Sequence, residues 1–173
     1  MDDSPFDLRA VVRGDEEWIF RACQDPEIQR WTLVPRPYSM TDAERFVVED
    51  PEWMRRAVVD TGTDTPVGMI GVHDVVDGTA DIGYWIAPWG RRRGAATRAV
   101  GLLVAELTRI GSIVRVVARI SVNNTASRRT VVRAGFTEQG REPGACPDGD
   151  SLGDAVVYRL EIRQGPPAIL TAR

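Results

Sequence analysis

The sequence contains no lysine, and all 22 of its basic side chains are arginines. Histidine occurs once. Two cysteines, Cys23 and Cys146, stand far apart and fit neither a metal-ligand spacing nor a disulfide framework, so reduced thiols and no metal are expected. No stretch approaches the roughly 18 consecutive apolar residues of a membrane span. The opening "MDDSPFD" has neither the basic nor the apolar region of a secretory signal. A cytoplasmic protein with no membrane role is therefore the expectation. Internal repeats and low-complexity tracts are also missing, and no segment reads as a linker. Nor is there an excess of positive charge: the formal net charge is -3, which argues against non-specific nucleic-acid binding because that needs a basic field over a whole face.

At 173 residues, 43% of them hydrophobic, the chain is long enough to bury a full core. One domain over residues 1–173 is expected, with an ordered fold at about 6–163 and a loose tail, "GPPAILTAR", at 165–173. "FDLRAVV" reads as a first strand and "GDEEWIFRACQ" as a helix with Trp18, Ile19, Ala22 and Cys23 near one face. "VPRPYS" reads as a loop. Thr41 and Glu44 in "TDAERFV" have capping-box spacing for a second helix, whose apolar face carries Ala43, Phe46 and Val47. The centre is rich in strands: "RRAVVD", "VGMIGVHDV" and "ADIGYWIA", separated by turns at "TGTDTP" and "DGT".

The most regular feature is the helix expected from Ala96 to Ile110, where Val100, Leu103, Val104 and Leu107 repeat at i, i+3, i+4 and i+7 before a capping Gly111. After it come an apolar strand, "IVRVVARISV", and a short helix in "NTASRRTVVRAGF" closed by Gly135. Two last strands, "GFTEQGRE" and "AVVYRLEI", are joined by an expected loop, "PGACPDGDSLG". Hairpins combined with a strand-helix-strand-helix centre make the fold class α+β, or mixed α/β.

"WIAPWGRRRGAATRA" joins a strand to the first turn of the long helix. A helix start leaves up to about four backbone N–H groups without intrahelical partners and carries the positive end of the dipole. Gly94, Ala95 and Ala96 let an anion approach that backbone, and Arg91, Arg92 and Arg93 surround it with charge. Phosphate or pyrophosphate suits such a place. The patterns GxxxxGK and GxGxxG are both absent, which excludes a lysine-containing P-loop and a dinucleotide fingerprint.

These residues resemble the GNAT superfamily of acetyl-CoA-dependent N-acetyltransferases. The superfamily's pyrophosphate motif, Arg or Gln, two residues, Gly, one residue, Gly or Ala, is matched by Arg91 through Ala96. About thirty residues on, "NNTASRRTVVRAGF" is similar to the second signature, with Asn124, Ser127, Gly135 and Phe136 in register. "GYWIAP" and "AVVYRLEI" are similar to the branch with the ribosomal-protein alanine N-acetyltransferases. The resemblance covers about residues 6–163.

It implies a mixed, mostly antiparallel sheet of six to seven strands flanked by about four helices. It also implies a strand around Trp85, Ile86 and Ala87 that splays from its neighbour and pairs with the pantetheine arm of acetyl-CoA, whose pyrophosphate rests on the amides of Arg92 to Ala96. Asn124 either caps its helix or bonds the pantetheine arm, and Arg129 either reaches the nucleotide phosphate or faces solvent.

The implied chemistry is direct attack of a neutral amine on the acetyl thioester. Backbone amides near Ile86 and Ala87 are the expected oxyanion donors. Many members of the superfamily place a tyrosine four residues before the Gly of "GF"; here Val131 stands there, and Ser127, one turn earlier, is taken as the group near the sulfur. Asp81 is the leading candidate base, with His73 and Glu138 as alternatives. The acceptor is a primary amine, first of all a protein N-terminal α-amine, and Trp18, Trp31, Trp53 and "PRPYS" are candidate cleft walls. Asp42 and Glu44 are candidates to attract an ammonium, and Tyr158 either faces the acceptor or fills the core. A small amine such as an antibiotic or polyamine is the alternative acceptor, and a non-catalytic acyl-CoA sensor is the alternative class. A homodimer is left open.

Overall fold

A computed structural model describes residues 4–49 and 54–162. Trp53 and the expected tail at 165–173 lie outside the described residues. In chain order the elements are β1 (Phe6–Ala10), α1 (Glu16–Cys23), α2 (Pro26–Trp31), α3 (Met40–Val48), β2 (Arg55–Asp60), β3 (Thr65–Val76), β4 (Thr79–Ile86), a 3-10 turn at Pro88–Gly90, α4 (Ala95–Ile110), β5 (Arg115–Ser121), α5 (Thr125–Arg133), β6 (Thr137–Asp148) and β7 (Ser151–Glu161). The strands form one sheet in the order β1-β2-β3-β4-β5-β7-β6, with every neighbouring pair antiparallel except β4–β5.

Side-chain alternation along the strands divides the core into two layers. Ile70, Val72, Ala80, Ile82 and Val116 face α4, where Val100, Leu103 and Leu107 are fully buried, as the helical repeat requires. On the opposite face Met69 and Ala87 pack with Ile19, Ala22, Cys23 and Ile28 of α1 and α2 and with Ala43 of α3.

Asp15 anchors the start of α1. Its buried carboxylate accepts two hydrogen bonds from Arg9, at 2.7 and 2.8 Å, one from the Val12 amide at 2.9 Å and one from the Trp18 indole at 2.7 Å. Burial opposes ionisation of Asp15, but these donors prevail and hold its carboxyl below the usual range.

The structure differs from the sequence reading in three places. α2 occupies a segment in which no helix was expected, giving five helices among the described residues where about four were expected; Pro26 at its first turn and the Asp25 cap account for it. The capping box of α3 is Ser39 with Asp42, two residues earlier than Thr41 with Glu44, because the Ser39 hydroxyl accepts from the Asp42 amide while the Asp42 carboxylate accepts from the Ser39 amide. The expected loop "PGACPDGDSLG" is largely strand. β6 and β7 run on through bulges to a tight turn at Gly149, and pairing across the hairpin satisfies backbone groups that a loop would leave to water.

Candidate functional site

β4 and β5 pair only through Thr79, Ala80 and Asp81 with Arg115, Val116 and Val117, and beyond these residues the two parallel strands part. On the other edge of β4, the Ala87 amide donates to the Val67 carbonyl at 2.8 Å. In an antiparallel ladder bonded and non-bonded pairs alternate. Trp85 therefore shares the bonded set with Ala87, and the backbone groups of Tyr84 and Ile86 turn into the gap. This corrects the expectation for Ala87, whose N–H is already used, and it moves the open edge from Trp85–Ala87 to Tyr84 and Ile86.

The loop after β4 ends at the start of α4. α1, α2 and α3 each begin with acidic residues, and α5 is capped by Asn124, whereas the first turn of α4 has no acidic residue and no side-chain cap. Gly94 at its N-cap has φ +84°, a left-handed conformation, and a Cβ built there would meet nothing within 4 Å. Arg92 is also left-handed, at φ 63°. Beyond the weak closure of the turn at Arg91–Gly94, the amides of Arg92 to Thr97 form no well-aligned backbone hydrogen bond among the described residues. Positive-φ residues on either side of Arg93, followed by an uncapped helix start, turn successive N–H groups toward one concavity, which is an anion-binding arrangement.

The three arginines do not act as an equivalent cluster. Arg91 is bound by the Asp25 carboxylate, and its Nε donates to the Ile86 carbonyl at 3.0 Å. Arg93 is held by Asp60 at 2.6 Å and lies over the Phe6 ring. The expectation that all three surround an anion is corrected: only Arg92 is exposed and without a side-chain partner among the described residues. Ala95 is buried and Ala96 half-buried. Arg129, on α5, is exposed.

The gap opens into a cleft of about 780 Å³ between the α1–α3 face of the sheet and the β6–β7 hairpin. Trp31, Tyr38, Phe46 and Trp85 line it, and Trp85 in turn packs on Trp18 with ring centroids 5.8 Å apart. Asn124 and Ser127 also line it. The Asn124 Oδ1 accepts from the Ser127 amide at 3.0 Å, so its role as a cap is realised. The Tyr84 and Ser127 hydroxyls are 2.8 Å apart, and the Tyr84 hydroxyl also lies 3.1 Å from the Ser127 carbonyl, to which it donates. Burial pushes the Tyr84 phenol up to about 12, so it stays protonated at neutral pH. Tyr84 was missed in the sequence because a strand aromatic reads as core, and nothing local says that it crosses to α5.

Asp81, which alternation left as core or cleft, faces the cleft. Its Oδ2 accepts from Arg119 Nη1 at 2.5 Å, and Arg119 Nε donates to Glu142 at 2.6 Å. Burial raises the Asp81 carboxyl above its ordinary range, and Arg119 offsets this only in part. Glu138 lies outside the cleft lining and bonds Tyr158, which is buried in the core and fails to reach the cleft. Cys23 and Cys146 are free, buried thiols on the cleft wall, and burial lifts Cys23 to about 12 and Cys146 to about 11. No helix among the described residues is long and apolar enough to cross a membrane.

Residues 6–137 match the model of the acetyltransferase (GNAT) domain. YdaF of Bacillus subtilis strain 168, whose name assigns it provisionally as a ribosomal N-acetyltransferase, is 28% identical over 144 residues, which is 78% of each chain. The structure of RimL, a ribosomal L7/L12 α-N-protein acetyltransferase in complex with coenzyme A, superposes with a TM-score of 0.84 at 18% identity, covering 94% of this chain and 97% of that one. A spermidine N-acetyltransferase from Vibrio cholerae, in complex with CoA and spermine, gives a TM-score of 0.81 at 18% identity, covering 94% of this chain and 98% of that one. At these identities the two solved structures show a common fold.

Proposed function

The chain belongs to the acetyltransferase (GNAT) family, and on that premise we propose that it is an acetyl-CoA-dependent N-acetyltransferase acting on a protein N-terminal α-amine in the cytoplasm. The observation that carries this reading is the parting of β4 from β5, which leaves a strand edge at Tyr84 and Ile86 a few residues before the open amides at the start of α4. An extended pantetheine arm would add to that edge as a strand adds to a sheet. Its pyrophosphate would lie against the amides of Arg92 to Ala96, with Arg92 supplying charge, and Arg129, exposed on α5, is a candidate for a nucleotide phosphate.

The acetyl carbonyl would then sit where the Ile86 N–H, free of the sheet ladder, can donate to its developing oxyanion. As the C–N bond forms and the C–S bond breaks, the leaving thiolate would come to the hydroxyl pair Tyr84 and Ser127. A thiol with a pKa of about 8.5 is a good leaving group and needs stabilisation more than a proton. A phenol held near 12 would donate a hydrogen bond and keep its proton. Asp81 has its Oδ1 free of hydrogen bonds among the described residues and would attract the acceptor's ammonium.

The charge of the cleft favours a single amine over a polyamine. Its lining carboxylates Asp42, Glu49 and Asp81 are matched by Arg45, Arg55 and Arg119, so it is no acidic sink for a polycation. An α-amine with a pKa of about 8 is roughly one-tenth neutral at pH 7, whereas a lysine amine at about 10.4 is neutral only a few times in ten thousand. Thiol release from acetyl-CoA with peptides beginning in Ala or Ser, and with spermidine, tests the reading. Turnover with the peptides is expected. Preference for spermidine would move the acceptor class to small amines, and tight acetyl-CoA binding without any turnover would make the protein a sensor.

A further inference from the structure

The only histidine of the chain sits at an irregularity in the sheet. The β3–β4 register runs Gly71↔Gly83 and Val72↔Ile82, then jumps to Asp74↔Asp81, so His73 is the extra residue of a bulge. A bulge re-aims the side chain it carries. Here the imidazole leans over the cleft face of β4 into the space that a side chain at position 83 would fill: a Cβ built on Gly83 would lie 2.0 Å from His73 Nε2 and 2.8 Å from Cε1. Any residue larger than glycine at 83 would expel the ring. The ring lines the cleft together with Asp81, and it is exposed, so a proton taken there has a route to solvent.

We propose that His73, aimed by the bulge and admitted by Gly83, is the catalytic base that accepts the proton released by the acceptor amine. The inference rests on the transferase reading. In the step, the amine nitrogen forms its bond to the acetyl carbon, the C–S electron pair leaves on sulfur, and the proton lost by nitrogen passes to the imidazole and on to solvent. Asp81 is ion-paired through Arg119 to Glu142, and its free oxygen is left to attract the acceptor's ammonium. The other charged or titratable groups lining the cleft are Cys23 on α1, Tyr38, Asp42, Arg45 and Glu49 on or next to α3, Arg55 on β2, Asp81 and Tyr84 on β4, Arg119 on β5 and Cys146 on β6, with Glu142 reached through Arg119.

The test compares His73→Gln, Gly83→Ala and the double variant with the parent protein, using thiol release with an N-terminal peptide across pH. His73→Gln should lower kcat/KM by about 100-fold and remove the acidic limb of the profile, with KM for acetyl-CoA unchanged. Gly83→Ala removes no titratable group but displaces the imidazole, a movable side-chain end. It should lose activity to a similar degree, and adding it to His73→Gln should cost little more. Thermal unfolding and coenzyme A binding should match the parent in all three. If His73→Gln keeps the acidic limb and stays within about threefold of the parent, the base assignment is overturned while the transferase reading stands. If the parent itself turns over no amine, both fall together.

Discussion

The hydroxyls of Tyr84 on β4 and Ser127 on α5 lie 2.8 Å apart, closing the wedge where β4 leaves β5. Val131, where the superfamily's tyrosine is expected, is fully buried in the core, and on the proposed reading the Tyr84–Ser127 pair serves in its stead. If it stabilises a departing thiolate by hydrogen bonding alone, Ser127→Ala should reduce kcat by about tenfold or less, the equivalent of about 1.4 kcal/mol, with KM for acetyl-CoA nearly constant. Tyr84→Phe should act in the same direction. Steady-state kinetics checks both, and a loss of several thousandfold would mean obligatory proton transfer.

Gly94→Val should abolish coenzyme A binding. The substitution places a β-branched side chain in the open concavity and at a left-handed backbone position, which costs about 1–2 kcal/mol. Calorimetric titration with coenzyme A, run beside a thermal melt, separates lost binding from lost fold.

Asp25 both caps α2 and holds Arg91, which in turn grips the Ile86 carbonyl. Asparagine retains the cap but not the charge. Asp25→Asn is therefore expected to raise KM for acetyl-CoA several-fold by loosening the end of β4, with a small change in melting temperature. Equal KM values would show that the loop is held without this contact.

Asp15 makes stability fall in acid. Its carboxyl is held below the unfolded value of about 3.9, so its contribution is complete above that pH and is lost as pH drops through the lower, folded pKa. Urea unfolding between about pH 5 and 2 should show this slope, and Asp15→Asn should flatten it while lowering stability at neutral pH, because the Arg9 partner is left without its anion.

Leu103 is fully buried between α4 and the sheet, and Leu103→Ala should cost about 2–5 kcal/mol in the same unfolding measurement, with the site chemistry intact in the folded fraction.

Much of this protein was legible in its sequence because it is written in short-range spacing. The apolar repeat of α4, the glycines that bound it, the strand alternation and the two motif segments all depend on neighbours within a few residues, and the structure places helices and strands on them. α2 and the continuation of β6 were hidden for the opposite reason. α2 is a single short helix set by a proline and a cap, and "PGACPD" has turn composition that cross-strand pairing overrides.

What tertiary structure alone decided is partnership. Side chains that look alike in the sequence, Arg91, Arg92 and Arg93, diverge because Asp25 and Asp60 arrive from other elements to take two of them and leave one. Tyr84 meets Ser127 across 43 residues of chain, and a bulge lays His73 over Gly83. Such contacts depend on which strands become neighbours and in what register, and a one-residue slip turns every side chain to the other face. Local sequence set the elements and the amides at the start of α4, whereas the assembled sheet chose which groups stay free to do chemistry.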